Sequence, residues 1–244
     1  MSEPVNLRID GDCAIVTLNN PRRGNALGPE LVGALGNALD AAADQGAAVM
    51  VLDSEGKHFC TGVDLADVEQ LNDDVLLDRF VAIEALLARV WSAPFLTVAV
   101  GRGRVMGAGA DLFAACNYRL ALQGSSYAFP GAAFGLVLGT RRLAVRVGPD
   151  VAMDLALSDR SVPADEARAL GLASAVLDVQ ALEAALERIR QTARRCAPET
   201  VRDIKCAAFS NYQGLDQDLA SLTESARRPG LQERIVAHKN RVLG

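Results

Sequence analysis

The sequence predicts an α/β fold followed by a C-terminal helical region. Three observations predict it. Short apolar runs alternate with longer segments at helical spacing, two of those runs lead into glycine-centred turns, and beyond about Pro163 helical patterns dominate. Strand, turn and helix recurring in that order imply parallel strands joined by crossover helices. An α/β core over residues 1–190 and a helical region over 191–244 is the expected organisation, with no low-complexity linker between them.

The elements follow in order. Val5–Ile9 and Cys13–Leu18 read as strands joined by the turn signal Asp10-Gly11-Asp12. A polar loop from Asn19 to Leu27 precedes a helix over about Pro29–Ala43, which places Leu31, Leu35 and Leu39 on one face. Ala47–Leu52 reads as a buried strand leading into the first glycine turn, His58-Phe59-Cys60-Thr61-Gly62-Val63-Asp64. A second helix is expected over Val75–Trp91, with Phe80, Leu87 and Trp91 in the core. Pro94 introduces the strand Phe95–Val100, and the second turn, Met106-Gly107-Ala108-Gly109-Ala110-Asp111, comes after it. Ala164–Leu170, Val179–Cys196, Pro198–Phe209, Leu215–Arg227 and Gly230–Val242 complete the chain as helices.

Each glycine turn is expected to open a helix. Such a turn offers unpaired N–H groups and the positive end of a helix dipole. Two of them converging on one point would hold a developing oxyanion, so the expected ligand carries a polarisable carbonyl.

Composition narrows the classes. At 244 residues with 50% hydrophobic content, the chain can bury a sizeable core. No apolar stretch reaches the roughly 20 residues needed to cross a bilayer, and Met1-Ser2-Glu3-Pro4 does not resemble a signal peptide. A cytoplasmic protein without a membrane partner is expected. The net charge of −5 argues against nucleic acid as a partner. Cys13, Cys60, Cys116, Cys196 and Cys206 are scattered and lack zinc-ligand spacing, so reduced, mostly buried thiols are expected. Only His58 and His238 could supply imidazole ligands, and no metal is expected.

The motifs resemble the enoyl-CoA hydratase/isomerase family, the crotonase superfamily. Leu18-Asn19-Asn20-Pro21-Arg22-Arg23-Gly24-Asn25-Ala26-Leu27 is similar to its Leu-Asn-x-Pro-x-x-x-Asn-Ala-Leu segment. Gly56 to Leu65 resembles its Gly-x-x-Phe-x-x-Gly-x-Asp-Leu, and Gly107-Ala108-Gly109-Ala110-Asp111-Leu112 stands where the family has Gly-Gly-Gly-x-Glu-Leu. Phe129-Pro130 and Gly139-Thr140-Arg141-Arg142-Leu143 match its Phe-x-Pro-Glu and Gly-Thr-x-Arg-Leu stretches in part. Ala164 to Leu172 resembles its Ala-x-Glu-Ala-x-x-x-Gly-Leu.

The resemblance implies a spiral of ββα units, assembly as a homotrimer or dimer of trimers, and an acyl-CoA ligand. Coenzyme A enters as part of the thioester substrate, and no separate cofactor is implied. The resemblance also implies an oxyanion hole made by the N–H groups of Val63 and Ala108. A backbone donor tolerates alanine in place of glycine where φ is negative. Thr61, Gly62, Asp64, Leu65, Gly107, Ala26, Pro130 and Gly131 fall on the implied substrate-binding segments.

At the proton-transfer positions the chain departs from the family's hydratases. These use one glutamate two residues after the glycine triplet and a second after Phe-x-Pro. Here the positions hold Asp111 and Gly131. The aspartate is one methylene shorter, a reach about 1.5 Å less, and the loop from Pro130 to Thr140 lacks a Pro-Gly-Ala-Gly-Gly run. Asp111 is open to two readings, proton transfer or an acid complementing a helix dipole. Asp64 reads as a cap of a helix running through Leu65-Ala66-Asp67. Asp67, Glu69 and Tyr127 are weaker candidates for the missing acid.

Basic residues complete the reading. Arg22 and Arg23 lie where the family's early loop approaches the nucleotide end of coenzyme A, and charged groups there would meet phosphate or stay solvated. Lys239 resembles family lysines of the C-terminal helix only loosely. Arg102 and Arg104 replace the family's Asn-Gly-x-Ala segment, and pairing with surface acids is favoured over contact with a carboxylated acyl group. Nothing marks Cys60 as an activated thiolate.

The expected function is a hydratase/isomerase-type enzyme that stabilises a thioester enolate in fatty-acid metabolism. With one carboxylate, isomerisation, decarboxylation and thioester hydrolysis stand beside hydration. A catalytically silent acyl-CoA carrier is the competing class. A purely structural protein is disfavoured, because core packing does not require both glycine turns.

Overall fold

A computed structural model describes residues 3–209 and 214–243. Strands β1 (Val5–Asp10) and β2 (Cys13–Leu18) form an antiparallel hairpin, with Gly11 at φ 61° in the turn. Helix α1 (Pro29–Asp44) starts on a proline at its first turn, where the missing N–H is harmless, and buries Leu31, Leu35 and Leu39. Next come β3 (Val49–Ser54), α2 (Asp73–Ser92), β4 (Leu96–Gly101), β5 (Arg104–Met106) and α3 (Ala108–Ala115). Phe80, Leu87 and Trp91 of α2 lie in the core as the helical spacing requires.

Strands β6 (Tyr118–Leu122) and β7 (Ser126–Ala128) follow, then α4 (Thr140–Val147), α5 (Pro149–Ser158), β8 (Val162–Pro163), α6 (Ala164–Ala169) and β9 (Ala175–Leu177). Four helices end the chain: α7 (Leu182–Arg194), α8 (Pro198–Ala208), α9 (Leu215–Ala226) and α10 (Leu231–Leu243).

Six strands form one sheet in the order β1-β2-β3-β4-β6-β9, parallel everywhere except the β1–β2 hairpin. A second, three-stranded sheet has the order β5-β7-β8. Alternation along the parallel strands separates two cores. Met50 and Leu52 face a cluster with α1 and α3, whereas Val49, Val51, Val98 and Val100 face Ala185, Ile189 and Ala193 of α7. Helix α7 continues across residue 190 and is tied to the β1–β2 turn by Arg194–Asp12 at 2.7 Å and Arg190–Asp10 at 3.2 Å. A third cluster joins Phe80 and Leu76 of α2 to Leu222 of α9 and Ile235 of α10. Among the described residues no helix is long and apolar enough to cross a membrane.

Two departures from the sequence reading concern the site. The first glycine turn opens no α-helix. Instead Leu27 N–H donates to Gly62 O at 2.7 Å and Asp64 N–H to Leu27 O at 3.1 Å, which holds Val63 in an isolated parallel bridge. The chain then passes through a 3₁₀ turn at Val68–Gln70, and α2 begins only at Asp73, capped by Asn72. A helix dipole therefore acts at the second turn alone. The strands and helices between Tyr118 and Val162 are the other departure, since the sequence indicates only motifs there and no elements.

Candidate active site

The two glycine turns meet. Met106 N–H donates to Cys60 O at 2.9 Å and Phe59 N–H to Arg102 O at 2.9 Å, so the second turn runs beside the first. A Cβ on Gly62 would lie 3.1 Å from Met106 O, and one on Gly107 would lie 3.8 Å from Gly62 Cα. Both glycines have positive φ, 103° and 51°. Gly109 has a different constraint: any side chain there would strike Cys60 O and Cβ. Ala108 meets neither constraint, as it lies in α3 with its Cβ in the core.

Neither Val63 N–H nor Ala108 N–H donates to a protein acceptor among the described residues. Both residues line a cavity of 460 Å³ with Thr61, Gly62, Leu65 and Gly107. Its wall is largely apolar, with Met106, Phe80, Leu136, Leu138 and Leu143, and Pro130 and Gly131 complete one side.

Asp111 reaches the same cavity and is 5% exposed. No side-chain hydrogen bond reaches its carboxyl among the described residues. Burial pushes its pKa well above the ordinary carboxylate value, with Arg142 pulling it down and Glu84 raising it further. Gly139, in the left-handed region at φ 66°, packs on Asp111 so closely that any side chain at Gly139 would collide with the carboxyl. Opposite, Gly131 leaves space: a Cβ there would meet only Leu136 O, at 3.7 Å.

The other sequence candidates lie elsewhere. Arg23 pairs with Asp64 at 2.7 Å, and the same Asp64 oxygen accepts from Ala66 N–H at 3.1 Å. Asp64 thus caps a turn and not the expected helix. Arg22 is exposed and Ala26 buried, and neither lines the cavity. Asp67 is held by Arg79 at 2.7 and 2.8 Å, and Glu69 pairs with Lys239 at 3.0 Å. Tyr127 is buried, with its hydroxyl 3.1 Å from Ser125 Oγ, so none of these three supplies a second acid to the cavity. Burial pushes the Cys60 thiol up to about 12, leaving it inert.

The two arginines before the second turn part company. Arg102 forks onto Asp53 at 2.6 and 2.9 Å, as surface pairing predicts. Arg104 instead joins Lys239 and His238 in the cavity lining. Asn25, part of the early-loop motif, has a structural role that the sequence reading does not assign. Its side chain donates to Glu55 O and His58 O at 3.0 and 2.8 Å, clamping the early loop to the first turn. Its φ is 54°, and asparagine, which tolerates that region better than most residues, is the signal available in the sequence.

Comparison with known proteins gives a consistent outcome. Residues 8–228 match the sequence model of the enoyl-CoA hydratase/isomerase family. A Thermus thermophilus protein with the provisional name enoyl-CoA hydratase is 34% identical over 79% of this chain and 78% of its own length. Enoyl-CoA hydratase domain-containing protein 2 of Mus musculus is 30% identical over 84% of this chain and 72% of its own length. A crystal structure from Bordetella parapertussis, provisionally described as an enoyl-CoA hydratase/isomerase, superposes with a TM-score of 0.94. Its identity is 37%, over 97% of this chain and 98% of that one.

Proposed function

The chain belongs to the enoyl-CoA hydratase/isomerase family, and from that premise we propose that it binds an acyl-CoA thioester and moves a proton on its acyl group. The thioester oxygen lies between Val63 N–H and Ala108 N–H, and the α3 dipole adds to the second donor. As charge flows from the acyl carbon onto that oxygen, the two donors stabilise the enolate. Asp111 then exchanges the proton. A carboxyl with an upward-shifted pKa is suited to both giving and taking a proton near neutral pH. One observation carries this reading: among the described residues, two backbone N–H groups and one carboxyl without protein partners belong to residues that line a single cavity.

With Gly131 in place of a second acid, double-bond isomerisation is the family reaction that needs least from the protein. One group takes the proton from one carbon and returns it to another, and no water has to be activated. The apolar wall suits an alkyl chain, consistent with fatty-acid metabolism, and Arg104 and Lys239 offer charge to the phosphates of coenzyme A. Assembly as a homotrimer or dimer of trimers is part of the proposal and is read by light scattering.

The test is incubation with straight-chain 2-enoyl- and 3-enoyl-CoAs, with products followed by mass spectrometry. Conversion that disappears in Asp111→Ala is the expected result. No turnover of any thioester, with binding that survives Asp111→Ala, would instead establish the silent carrier that Gly131 also favours.

A further inference from the structure

Asp111 is not isolated in its surroundings. Gly139, whose backbone packs on its carboxyl, is the N-cap of α4, and one turn further on stands Arg142. Arg142 is completely buried, and one of its terminal nitrogens donates to both carboxylate oxygens of Glu84 of α2, itself 2% exposed, at 2.6 and 2.7 Å. Its other terminal nitrogen donates to Asp218 of α9 at 2.9 Å, and Asp218 is also held by Arg141 at 2.7 and 2.8 Å. Helix α3, which carries Asp111, packs against both α2 and α4. A buried ion pair of this kind rarely adds net stability over apolar packing, and this one lies on the two helices that pack on α3.

Charge in a poorly screened interior acts on its neighbours far more strongly than it does at the surface. Glu84 and Arg142 are the buried charged side chains of the two helices packed on α3; the arginine's charge favours the ionised form of Asp111 and the glutamate's opposes it. The remaining charged or titratable groups of the cavity wall are Arg104, Asp159, His238 and Lys239, which are exposed or half-buried and face water.

We propose that the Glu84–Arg142 pair is a positioning element that sets how tightly Asp111 holds its proton. The proposal rests on Asp111 as the proton-transfer group. Arg142 and Glu84 touch no substrate; they act through Asp111, and their opposed charges make the balance adjustable. Removing either one tilts it in a different direction.

The test is a ¹³C NMR titration of the free protein labelled at the aspartate carboxyl carbon, with Asp111→Asn identifying the resonance. It needs no turnover. In Glu84→Gln the Asp111 titration moves to lower pH, and in Arg142→Gln it moves to higher pH. A merely structural pair would loosen and hydrate the site in both variants, moving both titrations down; that result, or no movement in either, overturns the proposal. If Arg142→Gln does not fold, Arg142→Lys keeps the charge but loses the two-nitrogen bridge between Glu84 and Asp218. Asp111 then titrates as in the wild type, whereas a downward shift overturns the proposal. The pH dependence of kcat should follow each titration. Titrations that move while the kcat profile stays fixed would leave the pair's role standing and remove Asp111 from the reaction.

Discussion

Replacing Ala108 with proline deletes one backbone donor and leaves the hydrogen bonds of α3 untouched. Ala108 is the first residue of that helix, a position whose N–H has no partner one turn back and where proline is well accepted. The first helical bonds belong to Ala110 and Asp111, whose N–H groups donate to Gly107 O at 2.8 and 3.0 Å. The cost to stability is that of packing the ring at a buried position, about 1–3 kcal/mol. Loss of one donor to a developing oxyanion costs about 2.7–4 kcal/mol, a fall of about 10²–10³ in kcat. The assay is kcat on whichever enoyl-CoA is converted, with thermal melting in parallel. Ala108→Gly, which keeps the donor, serves as the control and should retain most of the activity. A proline variant that folds normally and keeps kcat within about threefold, under ~1 kcal/mol, would refute the placement of the thioester oxygen.

Three further outcomes test the rest of the site. Gly131→Glu fits without strain, because φ there is not in the left-handed region and a Cβ meets only Leu136 O at 3.7 Å. It should raise 2-enoyl-CoA hydration about 10²-fold or more by supplying the second carboxyl, and an unchanged hydration rate would count against the two-carboxyl argument. Asp111→Asn should lower kcat about 10²–10⁴-fold while altering the pH dependence of stability. Burial raises the folded-state pKa of Asp111 above its unfolded value, so its favourable contribution is full below the unfolded pKa and is lost as pH rises through the folded one. The amide that replaces the carboxyl does not titrate, so urea midpoints of the variant should gain on wild type as pH rises from about 4; a constant difference would contradict the buried neutral acid. Gly139→Ala must leave the left-handed region or push Asp111 aside, and a loss of about 1–3 kcal/mol is expected in denaturant titration.

The sequence was most legible where one period ran long enough to be read. The strands at Cys13–Leu18 and Leu96–Gly101 and the helices α1 and α2 were found within two or three residues of their ends. The two glycine turns were also found, since positive φ and close approach leave a residue signature. Between Tyr118 and Val162 the strands are two to five residues long, too short for alternation to show, and their burial comes from neighbours distant in sequence. The helix expected after Gly62 failed because Val63 is held extended by Leu27, a partner that local propensity does not register. Arg142 stands in the Gly-Thr-x-Arg-Leu stretch, but its pairing with Glu84 is illegible for a related reason. Charged residues in an amphipathic pattern are assigned to solvent, and nothing local announces a pairing across 58 residues. Asp111 is legible by its position after the second turn, whereas its burial depends on neighbours distant in sequence.

The bridges Leu27–Val63 and Cys60–Val105 have a bearing on how this scaffold can diverge. They tie three chain segments together through main-chain atoms, so the spacing between the two candidate donors is fixed without reference to the side chains at Val63 or Ala108. Asp111 and Gly131, by contrast, owe their chemistry wholly to their side chains or the lack of one. In such a frame the side chains at positions 111 and 131 can be exchanged by point substitution while the two candidate donors keep their spacing.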